Sequence, residues 1–400
     1  MDSLTQITLG AAVGEVILGR KIGNRALLWG AVGGTIPDLD VLANFFLSEV
    51  DALAFHRGIS HSIFFSVIGG AAFGWLVDRF YKSKYYKYLA FFGWAAFVFG
   101  ILLLLNIILK KQSIHLVAFI VSLGLYLFLI GRLAKSYIYS ESKRPLAQLR
   151  DWQLLFFWSI VTHPLLDAFT TYGTQLFQPF SDYRVAFNTI SVADPLYTVP
   201  FLICVIACSF YKRENEKRRW INYAGITISS LYLIFTVFNK IRIDNTFENA
   251  LRSQNIAYQR FMTTPTILNN VLWQGIAQDG DKYYLGAYSL FDSQEIEFTQ
   301  IDQNEELLNQ KEPDRTVRVL KWFTNEYFNV ITRTDGRLQI NDLRYGSLNG
   351  NYSDENSYVF RFPLEQGDKD TYVVSDSDGG PPEGSEQEMM RVLIERIKGN

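Results

Sequence analysis

Three of the four histidines in this 400-residue chain stand in short motifs that, with neighbouring aspartates, hold metal-ligand chemistry: Pro37-Asp38-Leu39-Asp40, His56-Arg57-Gly58-Ile59-Ser60-His61 and His163-Pro164-Leu165-Leu166-Asp167. All three motifs lie in or between stretches apolar enough to cross a bilayer. A mid-membrane aspartate costs roughly 2.5–3.5 kcal/mol on insertion scales, so an ionisable group there needs a partner and marks a functional position. Asp38 and Asp40 straddle one residue in an otherwise apolar segment, where two carboxylates repel unless one is protonated or a cation lies between them. His163 and Asp167 are four apart, which on a helix puts both on one face with about 6 Å between Cβ atoms, provided the helix restarts by Leu165 after Pro164. Gly58 gives the backbone the freedom to turn His56 and His61 inward together.

Mixed imidazole and carboxylate ligands suit zinc, and also manganese or iron, whereas magnesium and calcium prefer all-oxygen shells. Asp38, Asp40, His56, His61, His163 and Asp167 are therefore candidate ligands for one or two divalent ions. A bound ion acidifies water and polarises a phosphoryl or carbonyl oxygen, which makes hydrolysis the reaction this set supports most naturally. Arg57 is placed to hold a phosphate or carboxylate bidentately, or else to anchor at lipid headgroups. Asp194 and Asp2 are candidates to complete the shell or act as a base. Ser60, Ser62, Thr162, Thr170 and Thr171 could fix the imidazole tautomers or simply pack helices, and His115, alone among apolar residues, reads as interfacial.

The elements that must position these groups are mostly membrane-type. The chain is 48% hydrophobic, and up to about Asn239 it carries charge-free runs such as Leu89 to Leu109, long enough at roughly 20 residues to span. Eight candidate spans emerge: Leu4 to Gly19, Ala26 to Leu47, Ile63 to Phe80, Tyr88 to Leu109, Ile114 to Gly131, Gln153 to Thr171, Leu196 to Tyr211 and Trp220 to Asn239. The first is short and carries Glu15, so seven or eight crossings are expected. The second is interrupted by Gly33, Gly34 and Pro37, and broken helices of this kind line membrane sites. Lys and Arg concentrate in residues 79–87, 132–150 and 212–219, marking those loops as cytoplasmic against the dissenting Lys110-Lys111 turn, and this orientation sends every motif and the C-terminal region outward.

A net charge of −2 gives no basic field for nucleic acid, and Cys204 and Cys208, four apart in one apolar run, read as packing residues. Residues 241–374 read as an extracytoplasmic soluble α+β domain after a membrane domain at 1–240, with a linker at Ser375 to Gly384 and an amphipathic helix closing residues 375–400, started by Ser385 and Glu388 as a capping box. A polar helical stretch is expected near Phe247 to Phe261. Strands are expected at Lys282 to Leu290, Ile296 to Ile301, Val317 to Phe323 and Tyr358 to Phe362, with a hairpin pairing Val330 to Arg333 and Arg337 to Ile340 around Thr334-Asp335-Gly336.

Met1-Asp2-Ser3-Leu4-Thr5-Gln6 with Gly10, Ile36-Pro37-Asp38-Leu39-Asp40, His56 to Ser62 and His163 to Asp167 together resemble the YdjM-like membrane-bound metal-dependent hydrolases of the bacterial inner membrane. The resemblance covers roughly residues 1 to 210, and Gln6 stands where many members of that family carry His. It implies hydrolase activity and a distant kinship to zinc-dependent phospholipase C and related single-strand nucleases, which favours phosphoesters. The reading is thus a multi-pass inner-membrane enzyme with an outward-facing metal site for a membrane lipid, lipid-linked or amphipathic phosphoester. Its rivals are a non-catalytic membrane protein with a structural metal and a partner-binding outer domain, or a transporter, which would spread its charged groups through the membrane depth.

Overall fold

Two pairs of glycines decide how the N-terminal helices meet. Helix α1 (Ser3–Ile22) carries Gly10 and Gly14, and α2 (Asn24–Thr35) carries Gly30 and Gly34. A Cβ on Gly14 would stand 2.8 Å from the Gly30 Cα, and at each of the four positions it would run into facing backbone. Small residues spaced by four let two helices touch along their main chains, the packing favoured where no hydrophobic drive separates helix from lipid.

The computed structural model describes residues 1–109, 115–139, 144–309, 312–347, 350–367, 371–375 and 385–399. Two compact units emerge, residues 1–70 with 155–400, and residues 71–154. In the first, α2 runs into a 3₁₀ segment (Pro37–Phe45) at a bend of 48°. Pro37 cannot continue the α-helical ladder, so the chain tightens into the shorter pitch there. A short α3 (Glu49–Phe55), a single 3₁₀ turn (Ile59–His61) and the start of α4 (Ile63–Lys82) follow. The second unit holds the rest of α4, then α5 (Tyr86–Leu109), α6 (His115–Tyr137) and the start of α7 (Leu149–Asp167).

After α7 an irregular stretch, residues 168–193, leads to α8 (Pro195–Ser209) and to α9 (Glu216–Ser253), a continuous helix of 38 residues. At 1.5 Å per residue α9 is about 57 Å long, nearly twice a bilayer's hydrocarbon core. Its last turns bury Ile243, Phe247 and Leu251, the first two against Trp273 and Ile296 of the sheet region. The expected boundary at residue 240 thus falls inside a helix, and the polar stretch from Phe247 is that helix's end rather than an element of its own.

The C-terminal region contains two four-stranded antiparallel sheets in simple meander order. One is built from β1 (Arg260–Pro265), β2 (Leu272–Asp279), β3 (Lys282–Ser289) and β4 (Phe298–Asp302), the other from β5 (Phe328–Thr332), β6 (Leu338–Ser347), β7 (Tyr358–Gln366) and β8 (Tyr372–Val374). The expected hairpin is present: Val330 faces Ile340 and Thr332 faces Leu338, with Gly336 at a φ of 84° in the turn. One expected strand is instead a helix, α10 (Arg315–Phe323). Asp314 caps it through the Val317 amide, and Val317, Leu320 and Phe323 fall on one buried face, a three-residue spacing that a helix satisfies and a strand does not. Val317 and Leu320 pack with Val50 of α3, Phe328, Val330 and Ile340, which ties the sheet region to the loop that carries the histidines. The helix α11 (Ser385–Ile397) forms as expected, while residues 376–384 of the linker and the Ser385 and Glu388 side chains lie outside the described residues, as do Lys110, Lys111 and the His115 side chain.

Among the described residues four helices are long and apolar enough to cross a membrane, α4, α5, α6 and α9, and the bent pair of α2 with its 3₁₀ segment would make a fifth. The other expected spans exist as α1, α7 and α8 but fall below that measure. The inner face of α1 is partly polar, burying Thr5, Gln6, Thr8 and Glu15, and α8 has only 15 residues.

Candidate metal centre

The two buried imidazoles are each fixed through Nδ1, and this decides what Nε2 can do. His163 Nδ1 lies 2.6 Å from the carbonyl oxygen of Gly34, which can only accept, so that nitrogen carries the proton. Gly34 is the next-to-last residue of α2, where helix carbonyls lack partners along their own chain. His61 Nδ1 faces Asp40 Oδ2 at 3.3 Å and Ser60 Oγ at 3.0 Å. When both rings are neutral, the proton of His61 therefore sits on Nδ1 as well, and both Nε2 atoms carry bare lone pairs.

Those Nε2 atoms point at each other, 3.1 Å apart. Asp38 Oδ1 lies 3.3 Å from His163 Nε2 and 3.5 Å from His61 Nε2, and Asp167 Oδ2 takes nearly the same distances on its own side, 3.3 and 3.5 Å. With both imidazoles neutral, four electron-rich atoms meet there with no donor among them. Asp167 Oδ2 is buried without a hydrogen bond, while its other oxygen receives the Gln6 amide at 2.9 Å and the Met1 amino group. Asp38, His61 and His163 form a group whose ligand atoms all lie within 4.8 Å of one another, the spread of atoms around a single ion. His61, His163 and Asp167 are fully buried, whereas the Asp38 side chain keeps 18% of its surface exposed, which leaves one side of the group open to water.

The 3₁₀ pitch explains why Asp38 and Asp40 do different things. At three residues per turn, positions two apart point about 120° from each other, so the carboxylates flank the His61 ring instead of sharing one point. Asp38 meets Nε2; Asp40 meets Nδ1. Asp40 also accepts from His56 Nδ1 at 3.0 Å, the Arg57 amide at 2.8 Å and Ser60 Oγ at 3.2 Å. His56 is thereby held on the far side of Asp40, 6.1 Å ring to ring from His61. Such a carboxylate behind a ligating imidazole fixes its tautomer and orientation.

Arg57 adopts a left-handed backbone (φ 56°), unusual for a side chain of its size, and the Asp40 hydrogen bond to its amide holds it there. Its guanidinium lies 3.5 Å from Asp167 Oδ2, donates to Thr170 Oγ1 at 3.1 Å and covers the Tyr172 ring at 4.7 Å. Of the expected supporting hydroxyls, Ser60 and Thr170 touch these groups; Ser62 and Thr162 bond to nearby backbone carbonyls, and Thr171 pairs with Thr264. Asp2 caps α1 through the Thr5 amide, and Asp194 caps α8 through the Leu196 and Tyr197 amides while accepting from Tyr232 at 2.9 Å.

Sequence reasoning missed Gln6 as the anchor of Asp167 and the Gly34 carbonyl as the anchor of His163. The glycine pair before Pro37 was the available signal for the second, since a broken helix exposes its last carbonyls.

The chain was compared with known proteins. The family model described as YdjM inner membrane protein matches residues 1–243, which takes in every motif of the centre and all of α1 to α8. No curated protein and no solved structure matches the chain.

Proposed function

From the premise that this chain belongs to the YdjM inner membrane protein family, we propose that it is a multi-pass, metal-dependent hydrolase whose centre faces outward and acts on a lipid-linked or amphipathic phosphoester. The observation that carries the reading is the meeting of two imidazole nitrogens with two carboxylate oxygens, one of them without a hydrogen bond, around a single point. Without a cation or an added proton such an arrangement is repulsive at every contact. His61, His163, Asp38 and Asp167 would hold the ion, and the two-nitrogen, two-oxygen donor set fits zinc, manganese or iron better than magnesium or calcium. When bound, such an ion supplies a Lewis acid and an acidified water at neutral pH.

The chain's own residues supply the rest. Asp40 keeps His61 in the ligating tautomer, Gln6 turns the free oxygen of Asp167 toward the imidazoles, and the partial exposure of Asp38 gives water a way in, which favours catalysis over a sealed structural site. Arg57, next to Asp167, would hold the anionic part of the substrate. Asp2 and Asp194 serve in this reading as helix caps. A lipid-linked substrate is supported by Phe45, Phe46 and Phe180, which expose 80%, 85% and 85% of their surfaces. We take α1, α7 and α8 as further crossings, seven or eight in all, because helices shielded by their neighbours need not be apolar on every face; the basic loops then put the sheet region on the extracytoplasmic side. The test is release of phosphate or alcohol from a panel of lipid-linked and soluble phosphoesters by purified, metal-loaded protein. Turnover that disappears in His163→Ala is expected, and equal turnover in that variant would refute the reading.

A further inference from the structure

We propose that Arg184 and Arg344, together with Arg57 and Tyr345, form a binding site for a phosphate group beside the metal centre, so that the region C-terminal to the family domain completes the substrate site. This deepens the phosphoester reading and rests on it for its role, though not for its test.

Arg184, in the stretch after α7, donates through Nε to the Tyr172 carbonyl at 3.2 Å. Its two terminal nitrogens are buried and make no hydrogen bond, and among the described residues no carboxylate pairs with it. The guanidinium is instead walled by rings, 4.7 Å from Tyr172, 5.1 Å from Trp322 and 5.4 Å from Phe323. Aromatic faces compensate a cation in part, but they cover the plane of the guanidinium and leave its N–H edge unsatisfied.

The neighbours add to the imbalance. Arg57 covers the same Tyr172 ring at 4.7 Å, and Arg344 of β6 lies 5.1 Å from the same Phe323 ring. Asp342 is the carboxylate of this cluster, and Arg344 occupies it with bonds of 3.0 and 2.6 Å while reaching Thr171's carbonyl at 3.4 Å. Burial pushes the Arg184 guanidinium down to about 10, the Tyr172 phenol works the other way, and the Arg344 and Arg57 charges add to the fall. The Tyr345 hydroxyl is also buried without a partner. Three guanidiniums therefore share a space with one committed carboxylate and with Asp167, which belongs to the metal centre.

What is lacking is an anion with several acceptor oxygens. The orphaned donors, two terminal nitrogens of Arg184 and one phenol, outnumber the oxygens of a carboxylate, while a tetrahedral phosphate matches the fork of a guanidinium and has oxygens left over. Arg57 links the two sites, since its guanidinium lies between Asp167 and Tyr172.

The experiment is calorimetric titration of inorganic phosphate into the full-length protein in detergent, alongside nanodiscs containing phosphatidic acid or phosphatidylcholine. The first probe reports free phosphate and the second a lipid phosphate; binding of either one supports the proposal and identifies its source. Arg184→Gln should weaken binding at least tenfold while the metal per chain stays unchanged. Arg184→Lys, which keeps the buried charge, is the second variant should glutamine fold poorly, and it should weaken binding several-fold. Wild-type affinity in a folded Arg184 variant, or no binding of either probe to the wild type, would overturn the proposal. If phosphate binding depends on Arg184 but the protein holds no metal, this site stands and the hydrolase reading falls.

Discussion

Two of the buried polar clusters in the helical region are satisfied in opposite ways. At one, Arg218 of α9 grips Glu15 of α1 with two bonds of 2.6 Å and spends its remaining donor on Asn24 at 2.6 Å and the Tyr211 carbonyl at 2.8 Å. Every guanidinium nitrogen has a partner, and charge balances charge. At the other, His61, His163, Asp38 and Asp167, with both rings neutral, present only acceptors to one another, and Asp167 Oδ2 makes no hydrogen bond, its nearest cation being the Arg57 guanidinium at 3.5 Å. The first cluster is complete as it stands. The second becomes complete when something positive enters, and that asymmetry separates a structural ion pair from a site more surely than residue type does.

The contrast predicts different losses for the two clusters. Removing an imidazole by His61→Ala or His163→Ala should lower metal affinity on the order of 1,000-fold, a fair share of the roughly 10–16 kcal/mol that four ligands give structural zinc, and thermal unfolding of the metal-free protein should change little. Arg218→Ala should do the reverse. It strands Glu15 in the interior and should cost about 3–5 kcal/mol, read as a lower midpoint of thermal unfolding, with bound metal unaffected in the folded fraction. Were Arg218→Ala to strip the metal while leaving stability intact, the distinction between the clusters would collapse.

Smaller effects refine the picture. Asp40→Asn keeps the shape but weakens the acceptor behind His61, and metal affinity should fall about 10- to 100-fold, the range typical of such outer partners. Least of all should be felt at Asp51, whose carboxylate pairs with Arg315 of α10 across to the sheet region. The Arg315 and Ser48 hydrogen bonds hold it below the usual carboxylate range. A depressed folded value means the contribution is present above about pH 3.9 and fades as the pH falls through the lower value, yet at this exposure it is worth less than about 1 kcal/mol. Asp51→Asn should therefore shift the unfolding midpoint by at most a few degrees and should flatten the acid limb of the stability profile.

Much of the centre could be read from the sequence because its logic is local. His163 and Asp167 share a helix face by spacing alone, and Pro37 after a glycine pair announced the break that frees the Gly34 carbonyl. What spacing could not convey was the division of labour between Asp38 and Asp40, which depends on a 3₁₀ pitch that sequence patterns do not distinguish from an α-helical one. Arg184 and Arg344 were invisible for a different reason: 160 residues apart and without a motif, they come together in the fold against the Phe323 ring. The fold shows the same divide. The β5–β6 hairpin was legible from its turn, whereas Val317 to Phe323 is too short an apolar run for its period to separate helix from strand, and its Asp314 cap settles the matter. Of the expected crossing segments, α1 and α7 fall below strict hydropathy because they carry polar residues such as Gln6, Glu15, His163 and Asp167, which they bury.

The most direct test is elemental analysis of the purified full-length protein, with X-ray absorption at the edge of whatever metal it carries, for wild type and the His61→Ala, His163→Ala double variant. The account predicts close to one divalent ion per chain in a shell of nitrogen and oxygen donors only, two of them imidazoles at about 2.0–2.1 Å if the metal is zinc, and none above background in the variant. Equal metal in both proteins, or a wild type that stays empty when supplied with zinc, manganese and iron, would contradict it.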